Sequence, residues 1–512
     1  MTEQWTWLIP LLPGLSAVWI GIGLLGGWNR GERGEWETAQ VASWAVALAL
    51  GVLLLLDGQA ILTGAAPGSI RLFPWMETTG YRVMIGFTLD RLGLAMTTLA
   101  AVLAWLTVRF SVHYLHREAG FQRFFALLSL FVAALLLFLM AGSATLAFVG
   151  WEIMGLTSYL LIGFAYERGN ATRNATRVFM TNRVGDAGFT VGMLLSFTWL
   201  GGSEWTDLVR GVPLLDSFQV GIMTGGFVLA ALVKSGQMPF AAWLGRSLEG
   251  PTPSSAIFYG ALMVHAGVFL LLRLEQLIAH SPFLMVVLVL LGSLTVVYGA
   301  LVGSVQTDVK SALICATQTQ VGLMFVACGL GWFNWAAWHL AAHAGWRAYQ
   351  WLSAPGYMHG LHGPTPPVWG EWQQQRPGVF AAALARFWLD PVTDRVLTRP
   401  VFFLARDIQS LDDRLVNRLM GSHAMDRILF GPPRPPRQLG AQWVAGVGLL
   451  GRLLERVGRH FQWVEERILD LGGDGMVRLV AGLGAHLARI DELFSEPRYL
   501  VLMIILTFVA IL

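Results

Sequence analysis

Charge is scarce in this sequence. Only 13% of the residues are Asp, Glu, Lys or Arg, while 55% are hydrophobic and the mean hydropathy is +0.57. That balance excludes a soluble globular chain and predicts a polytopic membrane protein in contact with lipid. The net charge of +3 is too small to argue for nucleic acid as a partner. Cysteine is nearly absent as well. Cys315 and Cys328 are the only two, both in or near apolar runs, which rules out a disulfide framework and a Cys-rich metal site. There is no nucleotide fingerprint, no Fe–S ligand set and no flavin motif. Redox and hydrolytic chemistry, catalytic residues and cofactors are therefore not expected in this chain. Its start, MTEQWTW, lacks a basic segment ahead of the first apolar run, which is expected to be a retained span.

Lysine is scarcer still. Of 35 basic residues only Lys234 and Lys310 are lysine. A G+C-rich genome explains the arginine bias but not these two exceptions. Arginine keeps its proton in a protein, whereas a desolvated lysine can release one. Lys234 sits within FVLAALVKSGQMPFAAWL, in the middle of an apolar run, with Pro239 five residues on. An ammonium in a bilayer costs roughly 2.5–3.5 kcal/mol on insertion scales. A helix break at that depth is tolerated only where protein or water lines a cavity. A charged, interrupted span points to an ion path; a structural lysine paired to one carboxylate is the alternative.

Apolar runs of spanning length recur at about 5–27, 41–62, 83–109, 122–142, 144–165, 176–200, 219–246, 252–274, 282–304, 311–330 and 333–354. The loops after odd-numbered runs carry more basic residues, Arg30, Arg117, Arg173 and Lys310 among them, than those after even-numbered runs. Odd loops are expected to be cytoplasmic and the N-terminus outside, in a bacterial inner membrane. Beyond residue 355 the chain is rich in Arg, Asp, Glu and Pro, with a breaker, GPPRPPR, at 431–437. Trp443, Val447, Leu450, Leu454, Val457 and Phe461 recur at helical spacing between charged residues. That pattern fits a helix along the membrane surface or one packed in a small cytoplasmic domain. The last apolar run, Tyr499 to Leu512, is short for a span.

Inside the runs, Glu152 is a lone carboxylate, and Lys234 is its expected partner. Arg183 and Asp186, three apart, are expected to neutralise each other. His339, His343 and Arg347 recur every four residues on one helix face. Zinc is not expected at the histidine pair, because no third ligand is in sight. Glu152, Lys234, His265, Lys310, His339 and His343 form a series of titratable groups that favours protons over a bulky solute. Sodium would want more carboxylate or carbonyl ligands than Glu152 offers. Core histidines satisfied by packing remain the plain alternative.

The stretches FTLDRLGLAM (87–96), GWEIMGLTSYLLIGF (150–164), NRVGDAGF (182–189), LVKSGQMPFAAWL (232–244), EGPTPSSA (249–256), QTDVKSALICATQTQVGLMF (306–325) and HLAAHAGWRAYQWL (339–352) carry a resemblance. In this order they resemble the large antiporter-like subunit of respiratory complex I and its relatives in Mrp-type cation/proton antiporters. The resemblance implies an all-α polytopic membrane protein of inverted five-helix repeats, each with a broken helix. N-terminal helices would fill 1–110, a first repeat 111–280, a truncated second repeat 281–355, a cytoplasmic-side amphipathic lateral segment 356–496, and a C-terminal anchor span 497–512. It further implies that Glu152 is the essential glutamate and Lys234 the lysine of the first broken helix. Arg183 and Asp186 would be the coupling ion pair, and His339 and His343 the central-axis histidines.

The chain also departs from that pattern. Tyr259 replaces a histidine after the P-T-P turn, His265 falls where relatives carry threonine or lysine, and Arg347 replaces the central lysine. The second broken helix has no counterpart, while 390–417 resembles the start of the lateral helix. A proton-translocating subunit coupled to another protein is the expectation. The partner would be a zinc-containing subunit that captures inorganic carbon, as WLSAPGYMHG (351–360) suggests, or the redox subunits of a complex I-like assembly. A non-conducting membrane scaffold for a cytoplasmic partner is the remaining alternative.

Overall fold

The computed structural model describes residues 5–78, 81–260, 263–360 and 375–419. The expected amphipathic segment at 443–461 and anchor run at 499–512 lie outside the described residues. Two compact units divide the chain, 1–393 and 394–512. In the second, the described part is a π-helical turn, Asp394–Thr398, and a helix, Arg399–Leu419, where the lateral helix was expected to begin.

The first unit is a helical bundle. Its helices are α1 (Leu8–Gly26), α2 (Gly31–Thr63), α3 (Arg91–Tyr114), α4 (Phe121–Met140), α5 (Ala144–Ile162), α6 (Gly169–Leu200), α7 (Trp205–Gly211) and α8 (Ser217–Lys234). They continue with α9 (Ala242–Arg246), α10 (Thr252–Ser255), α11 (Ala266–Arg273), α12 (Glu275–Ala279), α13 (Pro282–Ser304), α14 (Val309–Gly329), α15 (Phe333–Gly360) and two short helices, Pro377–Leu384 and Leu389–Thr393. Among the described residues, eight of these are long and apolar enough to cross a membrane: α1 to α5, α8, α13 and α14. The expected runs at 176–200 and 333–354 are helices too, α6 and α15, with more polar faces.

Two runs expected as spans are not single helices. The seventh stops at Lys234, where Gly236 takes a left-handed φ of 57° and α9 follows as a short separate helix. Side chains satisfy the backbone groups freed there. Trp243 Nε1 donates to the Val233 carbonyl at 2.8 Å, Gln318 Nε2 to the Ala241 carbonyl at 2.8 Å, and the Met238 N–H to Thr295 Oγ1 at 2.8 Å. The eighth run opens as α10, loosens into a π-helical turn, Ala256–Gly260, and resumes as α11 after His265. Ser235 Oγ donates to the Val264 carbonyl at 2.7 Å and so pins one break to the other.

The third run begins outside any helix. Gly68–Thr78 (β1) and Tyr81–Leu89 (β2) form an antiparallel hairpin, and Asp90 then caps α3 by accepting from the Gly93 N–H at 2.7 Å. Alternation in YRVMIGFTL carries the strand signal, which the apolar run absorbed. The hairpin docks by the Gly142 N–H to the Gly86 carbonyl at 2.9 Å and by Arg71 to Glu204 at 2.7 Å. That carboxylate holds the Arg71 guanidinium above its ordinary pKa.

Glycine sets the spacing of the helices that matter most. A Cβ on Gly226 of α8 would lie 2.5 Å from the Gly188 carbonyl of α6, and one on Gly192 would lie 2.9 Å from the Met223 carbonyl. The two backbones touch, as small residues allow inside membranes. Gly226→Leu is expected to lower stability by about 1–3 kcal/mol through overpacking. Gly51→Leu on α2, where a Cβ meets nothing within 4 Å, should leave it unchanged. Thermal unfolding in detergent, followed by size exclusion, checks both.

Candidate functional site

The contact between α6 and α8 presses Lys234 against α5. Its side chain is 1% exposed, its Nζ donates to the Trp151 carbonyl at 3.4 Å, and it stands 4.7 Å from the centre of the Trp151 ring. Among the described residues no carboxylate lies within ion-pair distance of it. Glu152 pairs instead with Arg183, Oε2 to Nη1 at 2.5 Å. The expected Glu152–Lys234 pair is therefore replaced by a shared cation. Arg183 also meets Asp186 at 2.8 Å, as its spacing predicts, and Trp151 Nε1 donates to the other oxygen of Asp186 at 2.7 Å. Gly155 keeps this cluster compact: a Cβ there would lie 3.2 Å from Arg183 Nη2 and 3.7 Å from Lys234 Nζ. Two cations thus converge on α5, and two carboxylates share the one that cannot release its proton. The second oxygen of Glu152, Oε1, is buried without a hydrogen-bond partner.

A second cluster forms around α15. His265 Nε2 and His343 Nδ1 lie 2.8 Å apart, and Arg347 Nη2 lies 3.3 Å from His343 Nε2. Arginine only donates, so His343 must accept at Nε2 and carry its proton on Nδ1, from which it donates to His265. His265 then holds its own proton on Nδ1, an atom with no partner. Arg347 in this way fixes the tautomer of two imidazoles. His339 is set one turn back, its ring centre 6.1 Å from that of His343, and its Nε2 is 2.9 Å from Gln320 Oε1 on α14. His265, His343 and Arg347 are all buried.

Two residues fall off this line. Lys310, expected between His265 and His339, lies in the first turn of α14 and donates to Thr252 Oγ1 at 2.8 Å, while His265 meets His343 directly. Tyr259 is buried in the π-helical turn, stacked on Trp351 with ring centres 5.1 Å apart, and hydrogen-bonds to Ser247 and to the Leu244 carbonyl. The sequence reading missed Trp151, Gln320 and Ser235. Trp151 sits beside Glu152 within one motif, which was the available signal; the other two carry none beyond being polar in apolar helices.

Removing Arg183 leaves two carboxylates without their cation. Arg183→Ala is expected to cost about 3 kcal/mol, near the lower bound for a broken buried pair because the cluster is partly exposed. Glu152→Gln in the same background should restore part of it. Thermal unfolding of the purified variants measures both, and a loss below about 1 kcal/mol, ordinary for surface pairs, would contradict the shared-cation geometry.

Residues 141–359 match the family model described as NADH:quinone oxidoreductase/Mrp antiporter, TM, and residues 75–125 match that described as NADH-Ubiquinone oxidoreductase (complex I), chain 5 N-terminus. NADH-quinone oxidoreductase subunit L of Mycobacterium tuberculosis (strain ATCC 25618 / H37Rv) is 36% identical over 363 residues, 70% of this chain and 56% of the relative. NAD(P)H-quinone oxidoreductase subunit 5, chloroplastic, of Mesostigma viride is 34% identical over 369 residues, 70% of this chain and 56% of the relative. The chain spans little more than half the length of these relatives. A solved structure, that of the Mrp complex from Dietzia sp. DQ12-45-1b, shares the fold at a TM-score of 0.60 and 24% identity, covering 73% of this chain and 40% of that one. The match over 141–359 runs through the two charged clusters and both helix breaks, and the chain belongs to the antiporter-like membrane-subunit family of complex I and Mrp.

Proposed function

We propose that this chain moves protons across a membrane as one subunit of a larger assembly. The observation that carries the reading is Lys234, a buried lysine at a helix break with no carboxylate of its own. Arg183 works as the switch beside it. While Arg183 holds both Glu152 and Asp186, Lys234 has no counter-ion and releases its proton. When Arg183 turns to Asp186 alone, the freed Glu152 charge favours the ammonium. His265 and His343 extend the line, since an imidazole can give a proton at one nitrogen and take one at the other. Passage from Lys234 toward α15 requires both rings to leave the tautomers that Arg347 holds. His339 and Gln320 continue the line into α14. Glu152, Lys234, His265, His339 and His343 are the relay, Arg183 and Asp186 the coupling pair, and Lys310 a flanking group in the first turn of α14.

The excess of Arg in odd-numbered loops supports an N-terminus outside a bacterial inner membrane. The relatives named above are oxidoreductase subunits, and their names favour a redox-driven complex as the coupled machine. The stretch WLSAPGYMHG (351–360) and the short second repeat favour a zinc subunit for inorganic carbon uptake instead. Affinity purification from native membranes with mass spectrometry separates these partners.

The relay is tested in vesicles holding the intact assembly, with a pH-sensitive dye. Lys234→Ala and Glu152→Gln are each expected to reduce proton flux at least about a hundredfold, the scale of a lost relay group, with the partner still co-purifying. Retained flux in Lys234→Ala would sink the reading and leave the scaffold alternative.

A further inference from the structure

Between α14 and α15 lies an open cleft of about 930 Å³. It runs from Val309 to Gln320 along α14, about 16 Å of helix at 1.5 Å per residue. A small ion would occupy a fraction of that length; three turns of another helix would fill it. Ala312 and Ala316, one turn apart on α14, and Ala342 on α15 leave its walls shallow enough for a backbone to approach. Trp346 and Tyr349 stand exposed at its edge.

The cleft also carries an unanswered charge. Arg347 is 4% exposed and lines it, and its Nη2 donates to a histidine, not to an anion. Its Nε has no hydrogen-bond partner, nor have His339 Nδ1 and Gln350 Oε1 on the same wall. Among the described residues no carboxylate comes within ion-pair distance of Arg347, and none lines the cleft. A guanidinium keeps its charge, and a buried charge without a counter-ion is costly in a membrane. A second copy of this chain does not offer one from the interior of its described spans. Glu152 and Asp186 there are bound to Arg183, and Asp57 accepts from Thr98 Oγ1 at 2.8 Å.

We propose that the cleft takes one membrane-spanning helix of a different subunit, and that an Asp or Glu on that helix pairs with Arg347. A carboxylate answers the guanidinium with paired hydrogen bonds. The inference deepens the subunit reading above and does not depend on whether protons move.

The test uses the assembly purified from native membranes, with a photoreactive benzoylphenylalanine in place of Ala316. Irradiation is expected to join Ala316's position to an apolar segment of another subunit that contains Asp or Glu. Arg347→Glu should lower recovery of that subunit more than about thirtyfold, the scale of a buried charge pair lost. Arg347→Lys should keep most of it, which separates charge from misfolding, and reversing the partner's carboxylate to Arg should rescue Arg347→Glu. Adducts only to lipid, to this chain itself or to a helix without a carboxylate would overturn the proposal, as would full recovery with Arg347→Glu. Lys234→Ala should leave the crosslink in place, so a failed relay and an empty cleft give different results.

Discussion

Arg183 stands between two carboxylates and leaves Lys234 without one. The surroundings hold that arrangement in place. The glycine contacts between α6 and α8 bring the backbone of α8 against α6, so Lys234 cannot withdraw. The Trp151 ring covers its ammonium, and the indole N–H occupies one oxygen of Asp186. Gly155 leaves room for two cations on the same stretch of α5. A side chain at any of these glycines would separate groups whose mutual distances decide where a proton resides. Charge in such a place is stable only when paired, and with both carboxylates on Arg183 the Lys234 ammonium has no partner.

The two helix breaks serve the same end. Ending α8 at Lys234 frees backbone groups at depth, and the protein answers two carbonyls with Trp243 and Gln318 and the Met238 N–H with Thr295. Ser235 and Val264, the immediate chain neighbours of Lys234 and His265, are joined by a hydrogen bond. The lysine cluster and the histidine cluster are thus fastened by a side-chain-to-backbone bond between their neighbours, while the titratable side chains themselves share no hydrogen bond among the described residues. Arg347 then orders the second cluster. By donating to His343 it decides which nitrogen of each imidazole carries a proton.

Much of this was legible in the sequence. A lone lysine in an apolar run, a proline just beyond it and a glutamate in another run marked the first cluster, because charge in a membrane is rare enough to be informative. Periodicity placed His339, His343 and Arg347 on one face. Apolar runs located the spans, yet they could not tell an unbroken helix from α10, a π-helical turn and α11 in sequence, since all three are equally apolar. The second strand of the hairpin, Tyr81–Leu89, was hidden because the apolar run at 83–109 absorbed most of it. Pairings across the bundle were out of reach: spacing showed that Arg183 could meet Asp186, but only the packing of α5 on α6 shows that it takes Glu152 from Lys234.

The scarcity of lysine offers the most direct test of the central claim, that Lys234 gives up and regains a proton under the influence of Glu152. Labelling with ¹⁵N-lysine yields two side-chain resonances in lipid, and Lys310→Arg assigns them. Lys234 is predicted to give both ammonium and amine signals, and their ratio is predicted to change in Glu152→Gln. A Lys234 resonance that is ammonium throughout and indifferent to Glu152→Gln would contradict it.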